Sequence, residues 1–398
     1  MTPGYLLSFS SRRYGTPGSM QCTYICWRWM LTVALLLVGT PPVKAENGVQ
    51  LKGTLQSDLG FQLAHIDQTP TDPTEVLVVG GGLYNAAAFT GNSLLTLNFR
   101  TTQLEQAKVD ASLDLGLLYG TAATQWQLYN PSASHGIFLG TTPLFADLRK
   151  LSCAFFFPNT DLIIGRQIVN FGTGMVFSPI DVFTQVDLLE LSFRRRGSDV
   201  VRLRSSFNPT SGMELVTSLP TGLDGQETQS SALKLFTHLG GWDLSGIALY
   251  RNPTQEWMGG LAFKGDLLLG ISGELVLHGQ EAQSEVPVEL MVGADYSLNN
   301  RWFLNAEYYY RDESLGAASF YDVHNVFASV RLTVNDLLSV SLAGLGSFPA
   351  ESQLLTAQVA YNVFQGVDAI FYVRGYHIAG YEDLLPQSEV AVRTMVKF

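Results

Sequence analysis

The stretch that decides the fold is residues 287–311, PVELMVGADYSLNNRWFLNAEYYYR, in which two alternating segments flank a pair of asparagines. Apolar residues occupy every second position from Val288 to Leu298, and the alternation resumes from Trp302 to Tyr310. A β-strand turns its side chains to opposite faces with a period of two, whereas an amphipathic helix needs apolar positions three and four apart. The stretch therefore predicts a β-hairpin with one apolar and one polar face.

The same alternation continues on both sides of this hairpin. It predicts eight tight turns, near Gln106 and at 158–160, 195–199, 240–241, 264–266, 299–300, 335–336 and 365–366. Between the turns run nine longer polar links, at 65–91, 120–144, 171–186, 208–230, 251–256, 279–287, 313–321, 349–353 and 379–388. Eight turns and nine links join eighteen strands, with sixteen as the alternative. Residues 212–218 are assigned to an outer loop, because a strand there would break the alternation of turns and links.

The chain is 46% hydrophobic, yet no segment after residue 45 approaches the roughly 20 apolar residues of a membrane-spanning helix. In lipid, only helices and closed barrels satisfy every main-chain N–H and C=O. We therefore expect an all-β fold, a transmembrane antiparallel up-and-down β-barrel with short periplasmic turns and longer outer loops. A soluble β-sandwich would also alternate, but it does not need strands this long. Nor does it need aromatic residues near strand ends, such as Trp242, Trp302 and Tyr361.

The N-terminal 45 residues predict a signal peptide that is cleaved on export. They contain no acidic residue, and Arg28 precedes an apolar run from Met30 to Val38 that is followed by Val43-Lys44-Ala45. Residues 46–398 are then a single barrel domain in the outer membrane of a bacterial cell. Removing four basic residues changes the formal net charge from −11 to −15, which argues against a nucleic-acid partner. Cys153 alone remains, so no internal disulfide is expected.

Two segments resemble known outer-membrane proteins. The last strand, with Val390, Val392, Val396 and a terminal Phe398 in one register, resembles the C-terminal signal that the barrel assembly machinery reads. The residues Gly165-Arg166-Gln167-x4-Gly172-x-Gly174, Ser178-Pro179-x-Asp181-x-Phe183 and Arg196-Gly197-x-Asp199 resemble a segment of alginate-export-like, porin-like barrels. That resemblance implies an eighteen-stranded pore, with an anionic solute as one option.

The cost of placing Arg or Lys against lipid, about 2–4 kcal/mol at mid-membrane, decides which side of each strand faces the lumen. In a hairpin predicted over 188–207, the polar side carries three arginines that could guide anions. Pairing of Arg202 and Arg204 with Glu190 at the periplasmic mouth is the simpler interpretation. The full set of expected lumenal residues is Glu190, Arg194, Arg202, Arg204, Asp295, Glu307, Arg331, Arg374 and Arg393.

The link that contains Gly172, Gly174 and Asp181 fits either a loop folded into the pore or an outer connection, and the outer connection is favoured. The acidic loop residues lack the spacing of a calcium-binding loop, and the six histidines lack the pairing of a zinc site. We therefore expect no metal, no cofactor and no enzymatic activity.

The leading hypothesis is a porin-like channel for passive or solute-selective diffusion of small hydrophilic solutes. The second is a surface-exposed barrel with an adhesion or structural role, because loops carry variable recognition. The third is a transporter of apolar compounds, which ranks lower because the inward positions read as mainly polar and small. Expected partners are outer-membrane lipid, the barrel assembly machinery and the solutes themselves, and a homo-oligomer is compatible with the sequence.

Overall fold

A computed structural model of the chain describes residues 48–63, 87–101, 106–120, 137–138, 144–184, 195, 197–218, 229–280, 286–315, 321–349, 351–377 and 387–398. Most of them lie in strands: β1 Val49–Leu63, β2 Ala87–Thr101, β3 Ala107–Gly120, β4 Ile137–Phe138, β5 Leu144–Phe156, β6 Thr160–Gln167, β7 Ser198–Asn208, β8 Ser211–Ser218, β9 Gln229–Leu239, β10 Trp242–Asn252, β11 Glu256–Asp266, β12 Gly270–Gln280, β13 Val288–Leu298, β14 Trp302–Arg311, β15 His324–Thr333, β16 Leu338–Phe348, β17 Ser352–Phe364, β18 Val367–His377 and β19 Ser388–Lys397. Among the described residues, helix is limited to a short 3-10 turn, Glu313–Leu315. No helix in the described part of the chain is long and apolar enough to cross a membrane.

Antiparallel pairing between successive strands closes the sheet on itself. β1 pairs with β2 along its whole length and with β19 from Thr54 to Leu63, so the first and last strands complete the ring. β4 is only two residues long and pairs with Phe145 and Ala146 of β5, while β3 pairs directly with β5. The barrel wall therefore consists of eighteen strands, which confirms the predicted fold class and the preferred strand number.

The two faces of the wall differ in the way that the alternation predicts. In β13, Leu290 and Val292 are exposed on the outside of the barrel, whereas Glu289 and Met291 are buried on the inside. Bulky apolar residues are exposed in the same way on every wall strand from β9 to β18. A closed barrel with such an exterior is the form in which strands cross a lipid bilayer.

Tight turns and longer links lie at opposite ends of the barrel, called here the tight-turn end and the link end. Asn299 and Asn300 both have positive φ, 54° and 55°, in the turn between β13 and β14. Asparagine tolerates this left-handed conformation, which matches the twist of the flanking strands in a short hairpin. The last residues of β19 pair with β1 at this same end, beginning with Thr54 opposite Lys397.

Two turn assignments made from the sequence are wrong. The turn predicted at 195–199 is absent, since Ser198 begins β7, and the tight turn instead lies between Asn208 and Ser211. The Asn208 side chain accepts the main-chain N–H of Thr210 at 2.9 Å and so closes that turn. Residues 212–218, predicted as outer loop, therefore belong to strand β8.

A second turn is displaced along the chain. Lys264, Gly265 and Asp266 continue β11, and the chain reverses at Leu267–Leu269, a segment without the usual turn residues. The first strand of the hairpin predicted over 188–207 falls on residues 188–194, which lie outside the described residues. The N-terminal 45 residues lie outside them as well.

The seam between β1 and β19 is stabilised by a side-chain ion pair and by main-chain hydrogen bonds. Inside the barrel, the Arg393 guanidinium donates from Nε and Nη2 to the two carboxylate oxygens of Asp58, at 2.7 and 2.8 Å. At the tight-turn end, Phe398 and Gly53 exchange main-chain hydrogen bonds of 2.8 and 3.0 Å. The Phe398 ring covers Gly53 so closely that a Cβ there would overlap it. Phe398 thus belongs to the closure of the ring.

Candidate functional site

The link between β6 and β7 folds into the barrel. Its continuous described part, residues 168–184 and hereafter the internal segment, has no strand or helix of its own, yet much of it is buried. Phe171, Phe177 and Ile180 are each at most 2% exposed. The favoured interpretation of this link as an outer connection does not hold. The structure places Gly172, Gly174 and Asp181 inside the barrel.

Seven consecutive main-chain N–H groups of the internal segment donate to three carboxylates. Phe171 and Gly172 donate to Oδ1 of Asp181, at 2.5 and 2.9 Å. The next two N–H groups, of residues 173 and 174, donate to Oε1 of Glu274 in β12, at 2.5 and 3.1 Å. Residues 175, 176 and 177 then donate to Glu307 in β14, at 2.6, 3.0 and 2.9 Å. A buried N–H without a partner is costly, so the carboxylates replace the partners that a strand or helix would supply.

The composition of the internal segment fits this arrangement. A Cβ on Gly172 would overlap the Ser178 hydroxyl, and a Cβ on Gly174 would overlap the carbonyl oxygen of Phe177. The Ser178 hydroxyl also contacts Glu274, at 3.1 and 3.2 Å to its two oxygens. Pro179 has no N–H that would need an acceptor at this point. The Gly-x-Gly and Ser-Pro pairs therefore allow the chain to fold tightly around Glu274.

Charged side chains contact the internal segment near its start and near its end. Asp181 accepts from the Arg195 guanidinium at 2.5 Å through its second oxygen. Lys234 of β9 donates to the carbonyl of Phe171 at 2.8 Å, and its ammonium lies 5.5 Å from the centre of the Phe171 ring. Lys234 thus fixes the start of the segment to the barrel wall independently of Glu274 and Glu307, whereas Arg195 belongs to the same β6–β7 link and holds Asp181 within that link.

Apolar packing completes the attachment of the internal segment to one side of the lumen. Val169, Phe171 and Ile180 pack on inward residues of β7–β12, which are Val200, Val216, Ala232, Ile247, Leu249, Met258, Ala262 and Val276. Val176 and Phe177 pack on inward residues of β13–β18, which are Met291, Tyr309, Phe327, Leu345, Leu354 and Tyr376. The Phe177 ring stacks on Tyr309, with centroids 5.4 Å apart. The inner wall from β7 to β18 is therefore partly apolar, unlike the polar and small surface that the sequence predicted.

Five of the six remaining wall strands, β19, β1, β2, β3 and β5, differ in composition. Their buried inward side chains are mostly polar or charged: Gln56, Asp58, Gln62, Thr90, Thr96, Ser112, Asp114, Asp147, Ser152 and Arg393. None of them contributes to the two apolar clusters around the internal segment. The lumen is thus asymmetric, with the internal segment against one side and a polar wall on the other.

Most of the basic residues expected in the lumen have partners there. Arg202 pairs with Glu214 at 2.8 Å. Glu214 lies in residues 212–218, which the sequence predicts as an outer loop. Arg204 lies over the Phe236 ring at 5.3 Å, and Arg331 lies over the Phe303 ring at 5.7 Å. Arg374 lies over the Tyr372 ring at 5.8 Å. Glu190 and Arg194 are outside the described residues, and the role of these side chains in guiding solutes stays a prediction.

The two acidic residues expected in the lumen have different environments. Glu307 holds the internal segment, as described above, whereas Asp295 lies against Gly270 near the tight-turn end. Glu274 and Lys234 were not singled out from the sequence. The sequence does mark them in part, because each is a charged residue at an inward position of an alternating strand.

The described residues contain no group of three or more His, Cys, Asp or Glu side chains arranged to hold a metal ion. Cys153 faces the outside of β5 with a free thiol.

Comparison with solved structures finds the same architecture. A crystal structure of Acinetobacter baumannii OccAB4 matches with a TM-score of 0.54 and 9% sequence identity, over 90% of this chain and 100% of that chain. A crystal structure of Acinetobacter baumannii OccAB3 matches with a TM-score of 0.51 and 11% identity, over 88% of this chain and 99% of that chain. No protein-family model matches the sequence. No curated protein matches it. The likeness is one of fold, and the resemblance to alginate-export-like barrels stays a prediction.

Proposed function

We propose that this protein is a porin-like channel of the bacterial outer membrane for the diffusion of small hydrophilic solutes, with the internal segment narrowing its lumen. The observation that carries the proposal is the asymmetric interior of a closed barrel. Five consecutive main-chain N–H groups, of residues 173–177, fix the internal segment to Glu274 of β12 and Glu307 of β14, while the wall from β19 to β5 carries polar side chains. A hydrophilic solute would pass between the internal segment and this polar wall, where it can exchange water for polar contacts.

The exterior supports the membrane location. Exposed leucines, valines and aromatic residues cover the outside of the wall strands, and Trp302 and Tyr361 are among the exposed residues near strand ends. Outer-membrane lipid is then the immediate partner, and the tight-turn end faces the periplasm. Export through a signal peptide in residues 1–45 and assembly of 46–398 by the barrel assembly machinery belong to the same proposal, as does a homo-oligomer.

Planar-bilayer recording of the folded protein tests the channel. We expect discrete conductance steps in potassium chloride, and liposomes that contain the protein should swell in small sugars but not in large oligosaccharides. A barrel without conductance steps or swelling under any ionic condition would contradict the channel and favour the adhesion or structural role. Swelling with apolar compounds alone would favour the third hypothesis. No conversion of solute is expected of a channel.

A further inference from the structure

Three basic side chains converge on one carboxylate on the inner face of the polar wall, near the tight-turn end. Arg100 of β2 donates from Nε to Oδ1 of Asp110 at 2.7 Å. Lys108 of β3 and Lys150 of β5 place their ammonium groups 2.8 and 3.5 Å from Oδ2 of the same residue. The described residues offer these three cations no second carboxylate within ion-pair distance. The cluster therefore has an excess of two positive charges.

The backbone of β5 is adapted to this cluster. A register shift opposite Ser112 and Leu113 inserts one extra residue into β5, between Leu148 and Lys150. The extra residue is Arg149, whose Nη2 donates to the Ser112 hydroxyl at 3.2 Å, on the face that carries Lys150 and Asp110. In a regular strand, two successive side chains would point to opposite faces, and one of these cations would face lipid. A β-bulge is a recurrent way of re-aiming a side chain toward a functional site.

The cluster is accessible from the lumen. The Arg100 side chain is 59% exposed, and those of Lys108 and Lys150 are 26% and 31% exposed, whereas Asp110 is 14% exposed. The cations thus retain N–H groups that can donate to a further ligand, while the carboxylate is mostly covered by them. A guanidinium presents a planar pair of donors that fits two oxygens of one oxyanion, and ammonium groups add donors in variable directions.

We propose that Arg100, Lys108 and Lys150 form a binding site for a small dianionic oxyanion, such as inorganic phosphate or a dicarboxylate, at the periplasmic end of the lumen. Two negative charges on the ligand balance the excess of the cluster. The inference deepens the proposed function, since it names the charge class of a solute that the polar wall would hold. The site lies on the inner face, so the ligand is a dissolved solute and not a lipid headgroup.

A phosphorus NMR titration of the folded full-length chain in a non-ionic detergent tests the site without requiring conductance. At a pH where phosphate is mainly dianionic, the inorganic phosphate signal should broaden saturably. The double variant Lys108→Gln/Lys150→Gln should bind about tenfold more weakly, because two of three cations are removed. Lys264→Gln removes an inward lysine of β11 near the same end and serves as the matched control, with wild-type affinity expected. Heat-modifiable gel migration checks that each variant is folded.

The outcomes separate this inference from the channel proposal. Saturable binding that is lost in the double variant supports the site, whether or not the protein conducts. Equal affinity in the wild type and the double variant, or an equal loss in the Lys264→Gln control, would overturn the site even if conductance is normal. Repeating the titration in nanodiscs of anionic lipid distinguishes the two phosphate sources. Unchanged affinity supports a dissolved solute, and loss of binding there would overturn that assignment in favour of the headgroup.

Discussion

Replacement of Glu307 by glutamine should release the internal segment from the wall. The Glu307 carboxylate is buried and accepts three main-chain N–H groups, those of Met175, Val176 and Phe177. Hydrogen bonds to a charged acceptor contribute about 1.5–3 kcal/mol each, against about 0.5–1.5 kcal/mol for a neutral one. A glutamine of nearly the same shape also turns an NH2 group toward N–H donors. At about 1 kcal/mol lost per bond, attachment weakens by about 3 kcal/mol, or roughly 100-fold in the opening equilibrium.

Thiol labelling measures this opening directly. Val176→Cys, in a background with the native cysteines replaced by alanine, places a thiol at a position that is 3% exposed and adjacent to the anchored N–H groups. When closing is faster than labelling, the labelling rate follows the population of the open form. Glu307→Gln should therefore raise the maleimide reaction rate about 100-fold. Larger single-channel conductance is expected at the same time.

The matched control for that experiment is Glu289→Gln in the adjacent strand β13. Glu289 is also buried, but it accepts from Tyr309 at 2.8 Å and contacts His278 at 3.0 Å, and it binds no N–H of the internal segment. Its substitution should leave the labelling rate of Val176→Cys within a few-fold of the parent. If Glu307→Gln labels no faster than this control, the carboxylate does not hold the segment and the reasoning fails.

Two further pairs of substitutions probe the internal segment and the seam between β1 and β19. Gly174→Val should clash with the carbonyl oxygen of Phe177 within the internal segment, distort the segment and raise thiol labelling as Glu307→Gln does. Gly259→Val, on an outer surface with no atom within 4 Å of the new Cβ, should not. Asp58→Leu removes the carboxylate that two nitrogens of buried Arg393 contact, so we expect a loss of about 3 kcal/mol and a lower midpoint of heat-modifiable gel migration. Asp58→Leu combined with Arg393→Met should recover part of that loss, and equal midpoints for the single and double variants would contradict the seam pairing.

The wall of the barrel could be predicted well because its information is local. Alternation along 287–311, together with two asparagines that tolerate positive φ, defines a hairpin without reference to the rest of the chain. Where turn chemistry is weak, the same reasoning fails by a few residues. Leu267–Leu269 carries no Gly, Asn, Asp or Pro, so the sequence predicts the turn at the nearby residues 264–266 instead.

The predicted number of eighteen strands is correct, although the hairpin predicted over 188–207 does not match the strand bounds of the structure. The structure counts β8 at Ser211–Ser218 among the eighteen wall strands, where the sequence predicts a loop, and it pairs β6 directly with β7. The strand predicted over 188–194 lies outside the described residues. The error arose at Asn208-Pro209-Thr210, which reads as the start of a loop but closes a tight turn through the Asn208 side chain. A correct number of strands is therefore weaker evidence for a sequence-based fold prediction than a correct strand register.

The attachment of the internal segment could not be predicted, because it depends on contacts between residues about 100 or more positions apart. Glu274 lies 101 positions from Thr173, and Glu307 lies 132 positions from Met175, so no local pattern links them. One sequence signal does survive: Met258, Val276, Met291 and Phe327 are apolar on the inward face, where a water-filled lumen favours polar residues. Apolar residues on both faces of neighbouring strands indicate that something packs inside.

The position of that apolar surface also explains where selectivity should arise. The internal segment packs on apolar inward residues of β7–β18, whereas no described residue of β19, β1, β2, β3 or β5 belongs to those clusters, so the proposed solute path runs along these five strands. Arg202 and Glu214 neutralise each other on the covered side, so they contribute little net charge to the passage. Arg100, Lys108 and Lys150 lie on the opposite side and share a single aspartate. Excess positive charge is therefore present on the wall that a solute contacts, even though the chain as a whole is acidic.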